Sequence, residues 1–307
     1  MTEANMNNSK VRKIEEVLVA QSASDGDGVR LKRVFGGGNL ARFDPFLMLD
    51  EFGSNDPGDY IGGFPSHPHR GFETVTYMLE GHMEHRDHMG NVGQLMAGDV
   101  QWMKAGAGVI HSEMPKQEEG RMRGFQLWVN LPAREKMTPA SYTELAAASI
   151  PRYEIDGIHV KAIAGELRVN EHAVTGAISG LATEPGYLDI TVNPADQLSK
   201  DLSKDLSKDL SKELSVGVPE GHTVLIYVYE GELRIGTDAY QIKAGSFARL
   251  SLTGDLVIQA GAKTRLLIIT GKPIGEPIVQ RGPFVMNTAE EIHQAIRDYT
   301  EGKLVAA

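Results

Sequence analysis

The sequence contains no cysteine, and this absence excludes disulfide bonds, thiolate metal sites and a cysteine nucleophile. It contains no apolar run long enough to span a membrane, and its polar N-terminus has no apolar signal core. Basic residues are also in deficit, because 31 Lys and Arg face 41 Asp and Glu for a formal net charge of -10. We therefore expect a cytoplasmic protein that neither enters a membrane nor grips nucleic-acid phosphates directly.

Short apolar runs that alternate with turn residues dominate the chain. Two examples are ETVTYMLEG (73–81) and TVLIYVYEG (223–231), which are strand-length, rich in β-branched or aromatic residues and closed by one of the 34 glycines. Many such runs at near-regular spacing are typical of an all-β sandwich or barrel. The sequence therefore predicts an all-β fold.

The strand pattern occurs twice in the 307 residues, which exceed one typical core and favour two domains. YMLEGHMEHRD (77–87) resembles YVYEGELRIGT (227–237), since each has an aromatic-rich strand, Glu-Gly and then a polar strand. Residues 95–106 resemble residues 242–254 in the same way. We interpret the two halves as two copies of one β unit.

The domain boundaries follow from composition. We assign residues 1–145 to an N-terminal domain and 146–286 to a C-terminal domain, with a linker in the segment 132–151, which is rich in Pro, Ala and Ser. A tetrapeptide repeat, LSKDLSKDLSKDLSKELS (198–215), interrupts the second domain. Extended, it would span roughly 60 Å, too long for one barrel strand. We expect a marginal helix or a protruding loop, which either binds a partner or is a tolerated expansion.

The terminal segment 287–307 is predicted to contain a short C-terminal α-helix over 287–302. Asn287 or Thr288 provides an N-cap. His293 lies off the apolar face and is expected to face solvent. The apolar face has helical spacing and comprises Ile292, Ala295, Ile296 and Tyr299.

Histidines and carboxylates at alternate positions indicate a metal site. His67 and His69 in HPHRGFE are two residues apart, so they face the same side of a strand, and Glu73 has the same parity. His111 and Glu113 form a second such pair after a glycine-rich turn. If the two pairs lie on neighbouring strands, their side chains converge; otherwise they hydrogen-bond to loops at a strand end.

Three imidazoles and one carboxylate would form a mixed nitrogen and oxygen site. That donor set suits Fe(II), Mn(II), Ni(II), Cu(II) or Zn(II), and ligand type alone does not choose among them. Four protein ligands on an octahedral metal leave two positions for water, a chelating substrate or dioxygen. The pattern therefore predicts one divalent transition metal.

The remaining histidines are interpreted as structural. His82, His85 and His88 are three residues apart, a spacing that suits neither one strand face nor a compact cluster, so we place them on a hairpin rim. His222 stands alone in PEGHTVLIYVYEG (219–231) of the second copy, which has no HxH pair. The second domain is accordingly predicted to be metal-free.

Three aromatic residues lie on strands near the second histidine pair. Trp102, Phe125 and Trp128 are expected to pack in the core, with the alternative that one of them lines an aromatic-binding pocket. Residues 106–108, Gly-Ala-Gly, lack the context of a phosphate loop and are predicted to make a tight turn.

Four long motifs carry a family resemblance: HPHRGFETVTYMLEG (67–81), AGAGVIHSEMP (105–115), GFQLWVNLP (124–132) and GPFVMNT (282–288). They resemble the pirin family of the cupin superfamily. The likeness extends from about Val11 to the end of the terminal helix, except for the tetrapeptide repeat.

The resemblance implies a bicupin, with two cupin jelly-roll β-barrel domains and a metal in the N-terminal one only. It implies that His67, His69, His111 and Glu113 are the ligands, because they match the family motif position for position, and that the metal is Fe(II). Glu73 is then a pocket group that orients a ligand from beside the metal.

The resemblance also implies a choice between two roles. Some members resemble quercetin 2,3-dioxygenases, in which a flavonol coordinates through its 3-hydroxyl, reacts with dioxygen and releases carbon monoxide. Glu113 or Glu73 would accept the hydroxyl proton. Animal members are associated with transcriptional regulation through protein partners, with the metal's redox state as a switch.

The acidic chain contains no basic run typical of nuclear localisation, which favours the enzyme. We expect a monomeric dioxygenase that takes a small aromatic, flavonol-like substrate and O2. The sequence leaves open another enol or catechol as the physiological substrate, and a non-enzymatic, metal-dependent protein-binding regulator as the alternative role.

Overall fold

A computed structural model gives the structure of residues 11–193, 212–236, 240–261 and 263–305. These residues form two units. The N-terminal unit comprises the described residues in 20–150, 180–183 and 273–305, and the C-terminal unit comprises those in 11–19, 151–179 and 184–272. None of the described helices is long and apolar enough to cross a membrane.

The described residues are mostly β-strands, which confirms the predicted fold class. The first half of the chain contains β1 (Ile14–Val19), β2 (Gln21–Asp25), β3 (Val29–Gly36), β4 (Phe46–Ser54), β5 (Phe64–His69), β6 (Phe72–Glu80), β7 (Met83–Asp87), β8 (Val92–Leu95), β9 (Val100–Lys104), β10 (Val109–Pro115), β11 (Met122–Asn130), α1 (Ala133–Lys136) and β12 (Ser141–Leu145), with 3-10 turns at Leu40–Phe43 and Pro57–Asp59.

The second half continues the same pattern of short strands. It contains β13 (Arg152–Ile155), β14 (Ile158–Ala164), β15 (Glu166–Val169), β16 (His172–Thr175), β17 (Gly186–Val192), β18 (Lys212–Gly217), β19 (Thr223–Glu230), β20 (Glu232–Ile235), β21 (Gln241–Lys243), β22 (Ser246–Leu250), β23 (Leu256–Ala260), β24 (Thr264–Gly271), β25 (Val279–Arg281), β26 (Phe284–Met286) and α2 (Ala289–Thr300).

The N-terminal unit is built around two antiparallel sheets, and it also contains the two-stranded sheet β25-β26. The larger sheet has the order β12-β9-β6-β11-β4-β3-β2, and the smaller has the order β5-β10-β7-β8. Alternation along each strand sends one set of side chains inward, and apolar residues from both sheets meet in a shared core. This core cluster comprises Val29, Leu31, Phe52, Tyr60, Met78, Met83, Leu95 and Met122.

The C-terminal unit repeats this plan. Its larger sheet has the order β1-β22-β19-β24-β17-β14-β13, and its smaller sheet has the order β16-β15-β18-β23-β20-β21. The predicted sequence repeat corresponds to the strand pairs β6–β7 and β19–β20, which turn at Gly81 and Gly231 with φ of 97° and 73°. Positive φ at both turns explains why glycine stands there in each copy.

Helix α2 closes the chain as the sequence predicts. Thr288, rather than Asn287, is the N-cap, and its hydroxyl accepts a hydrogen bond from the backbone N–H of Glu291 in a capping box. Ile292 and Ala295 are buried against the β25–β26 hairpin, whereas Tyr299 is 41% exposed. The apolar stripe is therefore narrower than the sequence indicates.

The units depart from the predicted boundaries, because each contains a terminal segment of the other half of the chain. The first strand, at residues 14–19, pairs with β22, and residues 273–305 belong to the N-terminal unit. The predicted linker 132–151 contains α1 and the sheet strand β12, and the units divide after Ile150. The tetrapeptide repeat lies outside the described residues except for 212–215, which begin β18.

Candidate metal centre

Three neighbouring strands of the smaller N-terminal sheet bring the candidate ligands together. Strand β10 carries His111 and Glu113 at its centre. On one side, β5 places His67 directly opposite His111, with His69 two residues further along. On the other side, β7 places His85 directly opposite Glu113. The two predicted pairs therefore lie on adjacent strands, as convergence requires.

The imidazoles of β5 point their Nε2 atoms at each other. His67 donates from Nδ1 to the carbonyl oxygen of Pro65 at 2.8 Å, which leaves a lone pair on its Nε2. That Nε2 lies 3.0 Å from Nε2 of His69. One ring nitrogen from each of His67, His69 and His111 falls within 4.8 Å of the others. A cation at this point would be reached by all three rings.

His111 is 1% exposed, and its Nε2 has no hydrogen-bond partner. Burial, followed by the neighbouring imidazoles, holds the pKa of His111 well below its ordinary value. Burial and then His67 do the same to the pKa of His69. Both rings are therefore neutral, the form that binds metals, and a metal would satisfy the buried Nε2 of His111.

Glu113 is buried and held by two neutral groups. Its Oε1 accepts from the Thr76 hydroxyl at 2.8 Å, and its Oε2 accepts from the side-chain amide of Gln126 at 3.3 Å. At the same 4.8 Å spacing it groups with His85 and His111, and not with the pair on β5. The four predicted ligands are thus divided between two overlapping sets that share His111, and the second set also contains His85.

His85 is the residue that sequence reasoning missed. It is fully buried, whereas His82 is partly exposed and His88 is exposed, as expected of a hairpin rim. The signal was available, because His85 and Asp87 are themselves two residues apart and so face the same side of β7. The spacing of three between histidines concealed the shorter His-x-Asp pair.

Glu73 faces away from this centre. On the same strand, β6, Thr76 contacts Glu113, and residues of odd number on that strand, such as Glu73, point to the opposite face of the sheet. The parity predicted from HPHRGFE does not carry through, because β5 ends at His69 and the chain passes through Arg70–Gly71 into the other sheet. The expectation that Glu73 orients a metal ligand is therefore not met.

The carboxyl of Glu73 is instead enclosed by protein, at 3% exposure. Burial raises the pKa of Glu73 to about 7, against smaller lowering contributions from Trp102 and Lys104. The raised pKa of Glu73 therefore comes from its burial in the sheet and not from the candidate metal site.

A cavity of about 690 Å³ opens beside the imidazoles, within the range of small-molecule sites. Apolar and polar side chains divide its wall. The apolar part comprises Leu31, Met48, Phe52, Phe64 and Trp128, and the polar part includes Arg33, Asp50, Gln126, Glu113, His67 and His69.

Three of the polar residues form a row across adjacent strands, which we call the polar row: Arg33, Asp50 and Gln126. Arg33 donates two hydrogen bonds to Asp50, at 3.0 and 2.8 Å. Asp50 lies opposite Gln126, which contacts Glu113. The polar row therefore leads from the cavity wall to the candidate ligands.

Of the three aromatic residues, Trp128 is the one that lines the cavity. Its ring lies 5.4 Å from that of His69 and 4.4 Å from that of Phe72. Trp102 and Phe125 do not line the cavity and are buried on the opposite face of the sheet. His293 is exposed on α2, as predicted.

The turn at residues 106–108 sets the position of β10. Gly106 has φ of 50°, and a Cβ there would meet the carbonyl oxygen of Thr138. A Cβ at Gly108 would meet the carbonyl of Leu304. The predicted tight turn is confirmed, and close backbone approach explains both glycines.

The equivalent positions of the C-terminal unit carry aliphatic side chains. Strands β18, β23 and β20 occupy the places of β5, β10 and β7 in the sheet order. By register, Val216 corresponds to His67, Leu256 to His111, Ile258 to Glu113 and Ile235 to His85. All four are buried in an apolar core, and no ligand group is found in the described part of this unit.

Comparisons with known proteins agree with this architecture. Two family models match, "Pirin" over residues 28–129 and "Pirin C-terminal cupin domain" over residues 187–305. A Pseudomonas aeruginosa protein named "Putative quercetin 2,3-dioxygenase" is 50% identical over 298 residues, covering 96% of this chain and 99% of its own. A "Pirin-like protein" of Caulobacter vibrioides is 44% identical over 295 residues, covering 95% and 99%.

A solved structure shares both the fold and detectable sequence. Quercetin 2,3-dioxygenase from Acinetobacter baumannii is 34% identical, with a TM-score of 0.83, and the match covers 97% of this chain and 99% of that chain. The family models and the relatives of similar length identify the same family, and the solved structure has the same fold. The chain belongs to the pirin family.

Proposed function

We propose that the N-terminal unit binds one divalent transition metal through His67, His69, His111 and Glu113. We further propose that this centre cleaves a flavonol such as quercetin with O2 and releases carbon monoxide. The observation that carries the proposal is the convergence of three imidazoles beside a cavity of about 690 Å³. The names of the similar Pseudomonas and Acinetobacter proteins support the reaction class.

The donor set fits a metal on two counts. Nε2 of His111 is buried without a partner, and Nε2 of His67 and of His69 face each other at 3.0 Å. Fe(II) is our first choice, and Mn, Ni, Cu and Zn suit the same donors. Glu113 would supply the fourth, oxygen donor, because one of its carboxylate oxygens lies within 4.8 Å of a ring nitrogen of His111.

The chemistry divides between the metal and the chain. A bound metal supplies Lewis acidity, which lowers the pKa of a flavonol hydroxyl. Glu113 is the carboxylate placed to accept that proton, because Thr76 and Gln126 hold it at the cavity. Glu73 is excluded from this role in our proposal, since it faces the other side of the sheet.

The cavity wall matches a flat aromatic molecule that carries hydroxyl groups. Trp128 and Phe64 offer apolar surface for the rings. The polar row offers donors and acceptors for hydroxyl groups, with Arg33 and Asp50 already paired. A substrate bound between them would present its chelating edge to the imidazoles.

The test is aerobic incubation of metal-loaded protein with quercetin, following flavonol loss and carbon monoxide together. We expect both in the wild type and in a His88→Ala control, which changes an exposed histidine of the hairpin rim. His69→Ala should abolish both, and so should exclusion of O2. Stoichiometric metal without flavonol loss or carbon monoxide would overturn the enzyme and favour the protein-binding role.

A further inference from the structure

His85 and Asp87 lie behind His111, on the side away from the other two imidazoles. Nδ1 of His85 is 3.4 Å from Nδ1 of His111, and Nε2 of His85 is 3.3 Å from Oδ2 of Asp87. The three side chains therefore form a chain of hydrogen-bonding groups that ends on the candidate metal ligand. The function proposed above uses neither His85 nor Asp87.

The donors and acceptors in this series of hydrogen bonds follow from its last member, Asp87. A carboxylate only accepts, so Nε2 of His85 must donate to Asp87. Between the two Nδ1 atoms one ring donates and the other accepts, and we assign Nδ1 of His85 as the acceptor from Nδ1–H of His111. That tautomer leaves the lone pair of His111 on Nε2, the atom that lacks a partner. The reverse direction would put an unpaired, buried N–H on that atom.

Neighbouring groups hold the side chains of Asp87 and His85 in place. Asp87 also accepts from the side chain of Asn91 at 2.8 Å and from the backbone N–H of Met89 at 2.9 Å, so its carboxylate is fixed. The ring of Tyr142 stacks on the ring of His85 at 4.6 Å and 19°. A buried imidazole clamped on its face and at one nitrogen has little freedom to turn.

The C-terminal unit provides an independent comparison. There the positions of His67, His111 and Glu113 are aliphatic, and the position of His85 is aliphatic as well, as Ile235. The His85 position thus differs between the two units in the same way as the ligand positions.

We propose that Asp87 and His85 are positioning residues that fix the tautomer and orientation of His111, so that its Nε2 is presented to the metal. His85 is then not a ligand, because both of its nitrogens are used, and the proposed ligands remain His67, His69, His111 and Glu113. This inference rests on the metal centre proposed above. It removes His85, and not Glu113, from the ligands in the two overlapping sets that share His111.

The first test needs no metal. Nitrogen-15 NMR of metal-free protein labelled at histidine distinguishes protonated from unprotonated ring nitrogens. We expect His111 as the Nδ1–H tautomer with an unprotonated Nε2, and a loss of that preference in His85→Leu. A wild-type His111 that carries its proton on Nε2 would overturn the proposal whether or not the protein binds metal.

The second test measures metal affinity by chelator competition with Ni(II). Outer hydrogen-bond partners of metal-bound histidines typically contribute about tenfold to a hundredfold in affinity. We expect His85→Leu to weaken binding by that factor at unchanged stoichiometry. His85→Asn keeps an acceptor near the Nδ1 position and should restore most of it, and Asp87→Asn should fall between. His82→Leu, at the partly exposed rim, is the control.

The outcomes separate this inference from the metal centre itself. If the wild type binds no Ni(II), the proposed centre fails, while the NMR result still judges the tautomer. Affinity of His85→Leu within threefold of the wild type would refute the positioning role. A count of coordinated imidazoles by pulsed EPR of the Cu(II) form should be three in both the wild type and His85→Asn, and the loss of one imidazole in the variant would make His85 a ligand.

Discussion

The burial of Glu73 leads to a prediction that separates this residue from the metal centre. We choose Glu73→Gln, because glutamine resembles the protonated carboxyl in shape and cannot ionise. The side chain is 3% exposed, and burial raises its pKa to about 7, compared with an ordinary value of 4.5. The folded protein therefore holds this proton over a pH range in which the unfolded chain has released it.

The size and sign of the effect follow from linkage. Between pH 4.5 and about 7 the folded state binds more protons at Glu73, so the free energy of unfolding falls as pH rises. The loss is absent below 4.5 and complete above about 7. At about 1.4 kcal/mol per pH unit it amounts to about 3 kcal/mol. Glu73→Gln should therefore match the wild type at pH 4.5 and be more stable by about 3 kcal/mol at pH 8.

The assay is urea unfolding of metal-free protein at several pH values, reported as the difference between variant and wild type. Glu80→Gln is the matched control, since Glu80 lies on the same strand in an exposed ion pair with Arg121 and should shift stability by less than about 1 kcal/mol. The reasoning fails if the gap at Glu73 does not grow with pH. It also fails if Glu73→Gln impairs metal binding, because the residue would then belong to the centre.

Three further predictions test the scaffold and the cavity. Lys136→Met should lower the free energy of unfolding by about 3–5 kcal/mol, because the buried ammonium donates to three acceptors. The control Arg134→Met, at an exposed side chain, should change it by less than about 0.5 kcal/mol. Equal stabilities of the two variants in urea would contradict this prediction. Arg70→Ala removes the 2.7 Å ion pair to Asp298 and should speed amide exchange in α2, so unchanged protection would count against this anchor. Trp128→Ala should weaken quercetin binding about tenfold in calorimetry at unchanged metal content, and unaltered affinity would remove Trp128 from the site.

Local patterns in the sequence were enough to predict the strands, the two-fold repeat and the capped terminal helix. Alternation places His67 with His69 and His111 with Glu113, and the structure sets these pairs on adjacent strands. The pairing of strands that are far apart in the sequence produces no such pattern in the residues of either strand. For this reason the pairing of the first strand with β22, and the placement of residues 273–305 in the N-terminal unit, could not be read from composition.

Two features of the site depart from the sequence pattern, one for a local reason and one because of long-range strand pairing. Parity counted from His69 to Glu73 assumes one continuous strand, and the chain changes sheet at Arg70–Gly71, where Gly71 has φ of 91°. The spacing of three between His82, His85 and His88 gives no indication that His85 lies at the site. Its partner in the pattern is Asp87, and the contact with His111 arises only when β7 pairs with β10.

The central claim is that His67, His69, His111 and Glu113 hold one metal, and metal analysis tests it most directly. Protein purified without added metal, and chelator-stripped protein reloaded with Fe(II), should be compared with His69→Ala. We predict one equivalent of a divalent transition metal per chain in the wild type and less than about a tenth of that in the folded variant. A wild type without metal, or a His69→Ala protein that retains a full equivalent, would contradict the account.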